Sequence, residues 1–356
     1  MNFVAEQWSE RVGRKRVQLW GWIVALPIPV MIGAAPSWWW IVAATALLGV
    51  NQGLCWSMTQ TAKLDITRPE ERGLTMGLNE FAGYGGVALA GIVTAYAAEW
   101  LGARQGLLVF GLAVVLIGLA LTVLGVRETL PWARSTGQRA SVSTARSTRE
   151  VSARVSWRDR RFFAITQAGL IEKFVDALVW ALYPAFLLGR DATLTELGWI
   201  VGVYGVVWGG SQLLTGPLSD RVGRYWPNVS GMWISGSGVG LMLMGSGSLW
   251  WSFSAAVTGF GMALLYPNLS AAIADLSEPA CRGKAIGIYR FWRDLGYAIG
   301  ALGLGLSASL AGAAEAAIWF VTLAMGASRL ILFWQGEETH PRLRKQSASD
   351  QQEVSS

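Results

Sequence analysis

The sequence predicts an all-α membrane protein with two pseudo-symmetric helical bundles, and three observations support this. Of the 356 residues, 53% are hydrophobic and only 15% are charged, whereas soluble domains carry about 25% charged residues. Apolar stretches of about 18 residues or more recur, and each can cross ~30 Å of hydrocarbon as a helix. The sequence also repeats itself at a constant offset of 210 residues, so the two halves share one backbone plan.

We count ten membrane spans, four in the first half and six in the second. Each is predicted to be helical because lipid offers no hydrogen-bond partner to irregular backbone. The spans are 17–35, 38–60, 74–97, 104–126, 162–189, 197–218, 225–245, 249–273, 284–310 and 314–334.

Basic residues set the orientation. About 23 of the 29 Lys and Arg residues fall in one set of loops, and only Arg104 and Arg190 lie in the opposite loops. The positive-inside rule therefore predicts that both termini are cytoplasmic. This bias accounts for the net charge of +6 without a nucleic-acid partner.

The chain is predicted to have four parts. They are a four-span bundle over 1–126, a flexible cytoplasmic linker over 127–161, a six-helix bundle over 162–334 and a disordered cytoplasmic tail over 335–356. Cys55 and Cys281 provide no disulfide framework, and the single histidine, His340, lies in the tail. We therefore expect no metal site.

The repeat is carried by Ser9-Glu10-Arg11-Val12-Gly13-Arg14, which returns as Ser219-Asp220-Arg221-Val222-Gly223-Arg224. With Gly216-Pro217-Leu218 before it, the second copy resembles the loop motif G-x-L-[AS]-D-R-x-G-R-[RK] of the bacterial major facilitator superfamily of transporters. The first copy departs upstream, with Glu6 at the glycine position. The resemblance covers about 5–335 and implies the superfamily fold, with about ten of its twelve helices here.

The repeat offset also predicts what precedes the sequence. Counterparts of spans 162–189 and 197–218 would fall almost wholly before Met1. We expect about sixty further residues with nearly two spans, missing through a start codon assigned too far downstream, with a true truncation as the alternative.

The two loops hold the candidate gating residues. The resemblance implies that Asp220 faces the start of span 74–97 and Glu10 the start of span 284–310, latching the halves when the cavity opens outward. A helix N-terminus favours a negative charge by about 0.3–1 kcal/mol. The alternative is that these are charged loop residues without a gating role, placed on the cytoplasmic side by the positive-inside rule. The candidates are Glu10, Arg11, Gly13, Arg14, Gly216, Asp220, Arg221, Gly223 and Arg224.

Charges inside the spans are the strongest candidates for a substrate or proton site, because each costs about 2.5–3.5 kcal/mol at mid-membrane. Span 162–189 holds Glu172, Lys173 and Asp176. Lys173 can neutralise Asp176, which leaves Glu172 as the favoured protonatable group; a structural ion pair is the alternative. By resemblance, this span lines the central cavity.

Span 284–310 carries candidates for a gate salt bridge. Arg290 and Asp294 are one turn apart and can pair, and Arg293 lies between them. A substrate site is an equal alternative. Glu80 occupies the position equivalent to Arg290, with a snorkelling surface residue as its alternative.

Neutral polar and aromatic residues complete the candidate set. By resemblance, spans 38–60 and 249–273 line the cavity, although a helix-packing hydrogen bond is the commoner role of such side chains. These candidates are Asn51, Gln52 and Trp56 in the first span and Tyr266 and Asn268 in the second.

We interpret the chain as a secondary active transporter of the bacterial inner membrane that moves a small molecule by alternating access, coupled to protons. No Walker sequence, catalytic arrangement or cofactor loop is visible in the sequence. We therefore expect no ATP use, no enzyme activity and no cofactor. The expected partners are a small-molecule substrate, protons and the lipid bilayer, with the chain a monomer. The alternative is a non-transporting sensor or transporter remnant, because two spans are missing.

Overall fold

The computed structural model describes residues 1–138, 147–278 and 281–344. Within these ranges the chain forms fifteen α-helices and no strand, which confirms the predicted all-α fold. The helices are α1 (Asn2–Val12), α2 (Arg14–Ala25), α3 (Pro27–Gly33), α4 (Trp38–Ile66), α5 (Arg72–Leu101), α6 (Ala103–Gly125), α7 (Leu130–Gln138), α8 (Thr148–Ala153), α9 (Arg160–Ala177), α10 (Tyr183–Leu188), α11 (Leu194–Val222), α12 (Tyr225–Leu241), α13 (Ser248–Leu276), α14 (Arg282–Ala311) and α15 (Ala314–Gln335).

Seven stretches of the described helices are long and apolar enough, by length and composition, to cross a membrane. They are Arg14–Gly33, Trp38–Ile66, Arg104–Gly125, Glu196–Val222, Ser248–Leu276, Arg282–Ala311 and Ala314–Gln335. The other three predicted spans correspond to α5, to α9 together with α10, and to α12. The helices are those of a multi-pass membrane protein.

The predicted span 162–189 is not one continuous helix. A π-helical segment, Leu178–Leu182, separates α9 from α10, and Pro184 stands at the start of α10. Proline lacks an N–H, and its ring clashes with the carbonyl one turn earlier in a regular helix. The wider π turn accommodates that change while the chain continues in the same direction.

The sequence repeat returns as a repeat of backbone turns and ion pairs. Gly13 and Gly223 have φ values of 101° and 94°, a region that side chains with a Cβ rarely adopt. The arginine that follows each glycine pairs with an aspartate 51 residues further along the chain. Its Nε lies 3.2 Å from the carboxylate in the first copy and 3.3 Å in the second; the pairs are Arg14 with Asp65 and Arg224 with Asp275.

A glutamate caps the helix after each turn. Glu128 accepts the backbone N–H groups of Arg14 and Lys15 at the start of α2. At the same offset, Glu338 accepts the N–H groups at the start of α12, those of Arg224 and Tyr225. The repeat therefore preserves specific polar contacts as well as helix lengths.

The chain forms two compact units. Unit 1 comprises Met1–Thr67, Ala82–Arg146 and Glu278–Gly287, and unit 2 comprises Arg68–Phe81, Ser147–Ser277 and Ile288–Ser356. In unit 1, apolar residues of α1, α2 and α4 form one buried cluster, and residues of α2, α3, α4 and α6 form another. In unit 2, α13 is buried along most of its length and packs against α9, α11 and α12.

Two segments predicted to lack regular structure contain it where they are described. Between 127 and 161 the chain forms α7, α8 and a π-helical turn, with Ser147 and Glu150 capping α8 reciprocally. In the tail, Thr339 and His340 are buried, next to the capping Glu338. Residues 139–146 and 345–356 lie outside the described ranges. The cap of α8 is a local polar contact, and such a contact leaves no apolar period in the sequence.

Candidate functional site

Four ionisable side chains of α9 and α14 lie buried close to one another in unit 2, on helices that the sequence predicts to span the membrane. Each has at most 1% of its surface exposed. Two are acidic and two are basic, so the group is neutral when all are ionised; we call Glu172, Lys173, Asp176 and Arg293 the charge cluster. Mutual neutralisation offsets the cost of holding each charge away from water.

Asp176 has three donors to its carboxylate. The Nζ of Lys173 lies 2.6 Å from Oδ2, at the helical spacing expected from the sequence. Tyr204 on α11 donates its hydroxyl to Oδ1 at 2.8 Å, and Tyr297 on α14 donates to Oδ2 at 2.9 Å. Donors aimed at a carboxylate stabilise its ionised form. Donors from three helices, α9, α11 and α14, therefore converge on this carboxylate.

Glu172 has a partner that the sequence analysis did not assign to it. Arg293 on α14 donates through Nε to Oε1 of Glu172 at 2.8 Å, and Lys173 Nζ lies 3.8 Å from the same oxygen. Among the described residues, the second carboxylate oxygen of Glu172 and the Nη1 of Arg293 have no hydrogen-bond partner. The pair is therefore joined by one strong bond, with one acceptor and one donor left over.

Aromatic rings surround the two cations of the charge cluster. The Arg293 guanidinium lies 3.6 Å from the centre of the Tyr266 ring, and Lys173 Nζ lies 4.4 Å from the same ring. Lys173 also lies 5.5 Å from the Trp208 ring and 5.2 Å from the Tyr297 ring. Cation–π attraction is strongest in desolvated sites such as this one. The rings thus hold both cations without neutralising them.

Close packing of α9 against α14 brings the charges together. A Cβ on Gly169 would meet the Tyr289 ring at 2.5 Å, and a Cβ on Gly296 would collide with the backbone carbonyl of Leu170. Two positions without side chains therefore let the helices approach closely. At this separation Arg293 reaches Glu172 across the helix interface.

The loop motif of the second half contacts the start of α5, and all of these residues belong to unit 2. Asp220 accepts the backbone N–H groups of Gly73 and Leu74 at 2.9 and 2.7 Å. Arg224 lies 2.7 Å from Asp220 and 3.3 Å from Asp275, which also pairs with Arg72. The acid thus caps the first turn of α5, where unpaired N–H groups favour a negative charge.

The loop motif of the first half lies in unit 1 and is less tightly bonded. Lys284 Nζ lies 3.5 Å from the Glu10 carboxylate, and Arg134 donates to the Glu10 carbonyl at 3.1 Å. Burial raises the pKa of Glu10 above its ordinary value, and the charges of Lys284 and Arg14 offset this only in part. Arg11 and its equivalent Arg221 are exposed, unlike Arg14 and Arg224.

The other polar and aromatic candidates from the sequence are not members of the charge cluster. Asn51 donates to the carbonyl of Gly21 at 2.9 Å, a packing contact between α4 and α2 in unit 1, and Gln52 is exposed. Trp56 is half-buried near Gly83 in the same unit. Asn268 donates to Leu264 within α13. Their role as cavity residues stays a prediction.

Glu80 is not a snorkelling surface residue, because it is 1% exposed and accepts a hydrogen bond from Asn79 at 2.9 Å. The pairing of Arg290 with Asp294 stays a prediction. Arg293, placed beside them in the sequence analysis, instead joins Glu172.

The sequence analysis missed Tyr204 and Trp208 on α11, which complete the charge cluster's surroundings. Their rings are 5.4 Å apart, and Trp208 stacks edge-on against Tyr266 at 5.5 Å. Their spacing of one helical turn puts both on one face of α11. Large aromatic residues one turn apart in an apolar span were the available signal.

A family model described as the Major Facilitator Superfamily matches residues 1–172 and 166–355. A curated relative, the uncharacterized MFS-type transporter STM4428 of Salmonella typhimurium, is 22% identical over 277 residues. That match covers 77% of this chain and 64% of the relative, so the chain spans less than two thirds of the relative's length.

Solved structures share the fold at low identity. The human organic anion transporter MFSD10 has a TM-score of 0.75 at 17% identity, covering 93% of this chain and 80% of that one. The proton:xylose symporter XylE has 0.74 at 15%, covering 95% and 83%. The E. coli fucose:proton symporter FucP has 0.73 at 11%, covering 94% and 87%.

Proposed function

Because the chain belongs to the major facilitator superfamily, we propose that it is a secondary active transporter of a small molecule. The observation that carries the proposal is the charge cluster. Four ionised side chains are retained inside membrane-spanning helices, each at a cost that a purely structural helix contact does not require. A site near the middle of the span, where each charge is compensated by another, is where a transporter exchanges internal partners for its substrate.

In this proposal, a proton gradient supplies the energy for transport, and Glu172 is the residue that carries the proton. Asp176 has three donors, whereas Glu172 has one bond shorter than 3 Å. Protonating Glu172 therefore disrupts fewer contacts and releases Arg293. The solved proton symporters support the proposal only through their shared fold.

The loop motif is the gate in this proposal. Asp220 caps α5, and the cap must break for α11 and the start of α5 to separate. Glu10 with Lys284 is the equivalent contact of the first copy. The positive-inside rule orients these loops, with both termini, toward the cytoplasm of a bacterial inner membrane. A reporter fused to the C-terminus and active only in the cytoplasm tests that orientation.

The test of transport is flux into proteoliposomes that hold the full chain under an imposed pH gradient. Radiolabelled sugars, organic acids and organic cations form the substrate panel. We expect pH-driven flux of at least one compound, and we expect Glu172→Gln to reduce it to background because an amide cannot carry the proton.

Glu315→Gln is the matched control. Glu315 pairs with Arg190 at 2.7 Å, but both side chains are 39% exposed, so this substitution should leave flux unchanged. Wild-type flux at every pH in Glu172→Gln would remove Glu172 from the coupling mechanism. Absence of flux for the whole panel would contradict the transporter proposal and favour the sensor or remnant alternative.

A further inference from the structure

We propose, resting on the transport function above, that the substrate is an organic carboxylate that enters with one proton. Arg293 binds the substrate carboxylate after Glu172 has accepted the proton. The charge cluster is then a site in which two carboxylates, one from the protein and one from the substrate, compete for one guanidinium.

The two acids of the charge cluster are unequal, and this decides which of them exchanges. Protonation of Asp176 would weaken its contacts with three donors, Lys173, Tyr204 and Tyr297. Glu172 would lose one bond to Arg293. Its second oxygen has no partner among the described residues, so it can take the proton without displacing another group.

Arg293 has the geometry of a carboxylate receptor once it is released. One face of the guanidinium is covered by the Tyr266 ring at 3.6 Å, which fixes its plane. Its N–H groups remain: Nε, which shares an edge with Nη2, donates to Glu172, and Nη1 on the other edge has no hydrogen-bond partner among the described residues. A guanidinium edge binds a carboxylate through two parallel N–H bonds, which a hydroxyl or an ammonium group cannot accept in the same way.

Charge balance couples the anion to a proton. The resting cluster has two negative and two positive groups and is neutral. A carboxylate entering alone would leave one uncompensated negative charge inside the membrane. With one proton the balance is restored: an O–H bond forms on Glu172, its ion pair with Arg293 breaks, and the substrate carboxylate replaces it. Release on the other side reverses each step.

The charge around the site disfavours other substrate classes. An organic cation would meet Lys173 and Arg293, and would have to displace one of them from its acid. A neutral sugar would add no charge and would leave the protonated cluster with a net positive charge. The Tyr266 ring lies over Arg293, the rings of Trp208, Tyr266 and Tyr297 surround Lys173, and Tyr297 is 42% exposed. An aromatic acid fits both features.

The titratable and charged neighbours of Glu172 come from several helices. Lys173 and Asp176 lie on α9 with Glu172, and Tyr204 of α11 is connected to Glu172 only through Asp176. The other neighbours are Tyr266 on α13 and, on α14, Tyr289 and Arg293. On α15, which also packs against α9, Arg329 lies over the Trp233 ring. The sole titratable side chain of α12 is Tyr225, which donates to Phe333. Arg293 is therefore the cation that protonation of Glu172 releases.

The experiment measures carboxylate binding and proton uptake together. Radiolabelled benzoate is the first probe, followed by phenylacetate, salicylate and lactate, on the purified full chain between pH 5 and 8. A pH indicator dye reports protons taken up. We expect one proton per bound carboxylate and a binding constant that weakens by about tenfold per pH unit above the range in which free Glu172 is protonated.

Two variants test the roles separately. Glu172→Gln keeps the side-chain shape and cannot ionise, so it should bind benzoate independently of pH and without proton uptake. Arg293→Lys keeps the charge but lacks the planar edge, so binding should weaken at least about tenfold. Arg329→Lys is the matched control on α15 and should bind as the wild type does. Size-exclusion profiles identify any variant that fails to fold, in which case Glu172→Gln alone decides.

Three results would overturn the proposal. The first is equal binding of benzamide and benzoate by the wild type, and the second is carboxylate binding without proton uptake. The third is benzoate binding by Glu172→Gln that still depends on pH. If no carboxylate binds while a sugar or a cation of the panel shows flux, the substrate class is wrong and the transporter proposal stands. If nothing in the panel shows flux, both proposals fail.

Discussion

At the scale of single residues, the two acids of the charge cluster differ in the number of donors that contact them. Tyr204 and Tyr297 donate to Asp176 from two different helices, and Lys173 adds an ionic contact from its own helix. Buried hydrogen bonds to charged groups are worth more than neutral ones, because the alternative is an unsatisfied ion. The anion of Asp176 therefore fixes the positions of α9, α11 and α14 within unit 2.

Removing one of these donors should have a measurable cost. Tyr204→Phe deletes the hydroxyl that lies 2.8 Å from Asp176 and keeps the ring, so we expect a loss of about 1.5–3 kcal/mol of stability. Tyr225→Phe is the matched control, since its hydroxyl donates to the neutral carbonyl of Phe333 at 2.8 Å near the surface. Thermal unfolding in detergent should show the smaller loss for Tyr225→Phe. Equal shifts would mean that Asp176 does not depend on Tyr204.

At the scale of elements, the starts of two helices are stabilised by side chains from distant parts of the chain. The first turn of α5 is capped by a side chain 146 residues further along the sequence, Asp220, and not by its own preceding loop. The first turn of α12 is likewise capped from a distance by Glu338. Such long-range caps join one part of the chain to the start of a distant helix.

Asp220→Asn should loosen the start of α5. The amide can accept one N–H bond, where the carboxylate accepts those of Gly73 and Leu74, and the charge at the helix end is lost. We expect amide hydrogen exchange over residues 72–76 to accelerate about 5–30-fold, which corresponds to about 1–2 kcal/mol.

The control for this experiment is Asp191→Asn. Asp191 has a positive φ of 62°, a conformation that asparagine also tolerates, and its side chain is exposed. Exchange near α5 should not change in this variant. Unaltered protection of residues 72–76 in Asp220→Asn would show that the cap does not stabilise the helix start.

At the scale of the whole molecule, the repeat predicts how equivalent substitutions compare. Arg14 and Arg224 each bond a serine and an aspartate, but Arg224 also lies 2.7 Å from Asp220. Arg14→Ala and Arg224→Ala should both lower the unfolding temperature, because removing one partner of a buried ion pair costs up to about 3–5 kcal/mol. Asp65 and Asp275 then keep only Thr129 and Arg72, respectively, as partners among the described residues. The drop should be larger for Arg224→Ala.

The same loops supply the control for this comparison. Arg11 and Arg221 are exposed neighbours of the two buried arginines, so Arg11→Ala and Arg221→Ala should change stability by no more than about 0.5 kcal/mol. Equal losses at all four positions would indicate a general charge effect. They would also remove the distinction between the buried and the exposed arginines of the motif.

The helical architecture was predictable from the sequence because continuous apolar runs encode it directly. The spacing of Lys173 and Asp176 also indicated their contact, since residues three apart share a helix face. The bond between Glu172 and Arg293 joins residues 121 apart on different helices, and single-helix spacing contains no information about it. The structure of 336–344 was missed for a related reason: Glu338 acts as a cap on a distant helix.

The pairing pattern of α9 also has a consequence for the order of synthesis. Lys173 and Asp176 can neutralise each other as soon as α9 has folded, because both lie on that helix. Arg293 emerges from the ribosome 121 residues after Glu172. Until then Glu172 has no guanidinium partner, so we expect nascent α9 to enter the bilayer with Glu172 protonated, or to wait at the translocon until α14 arrives. By the first route, the charge cluster is complete only when Glu172 ionises beside Arg293.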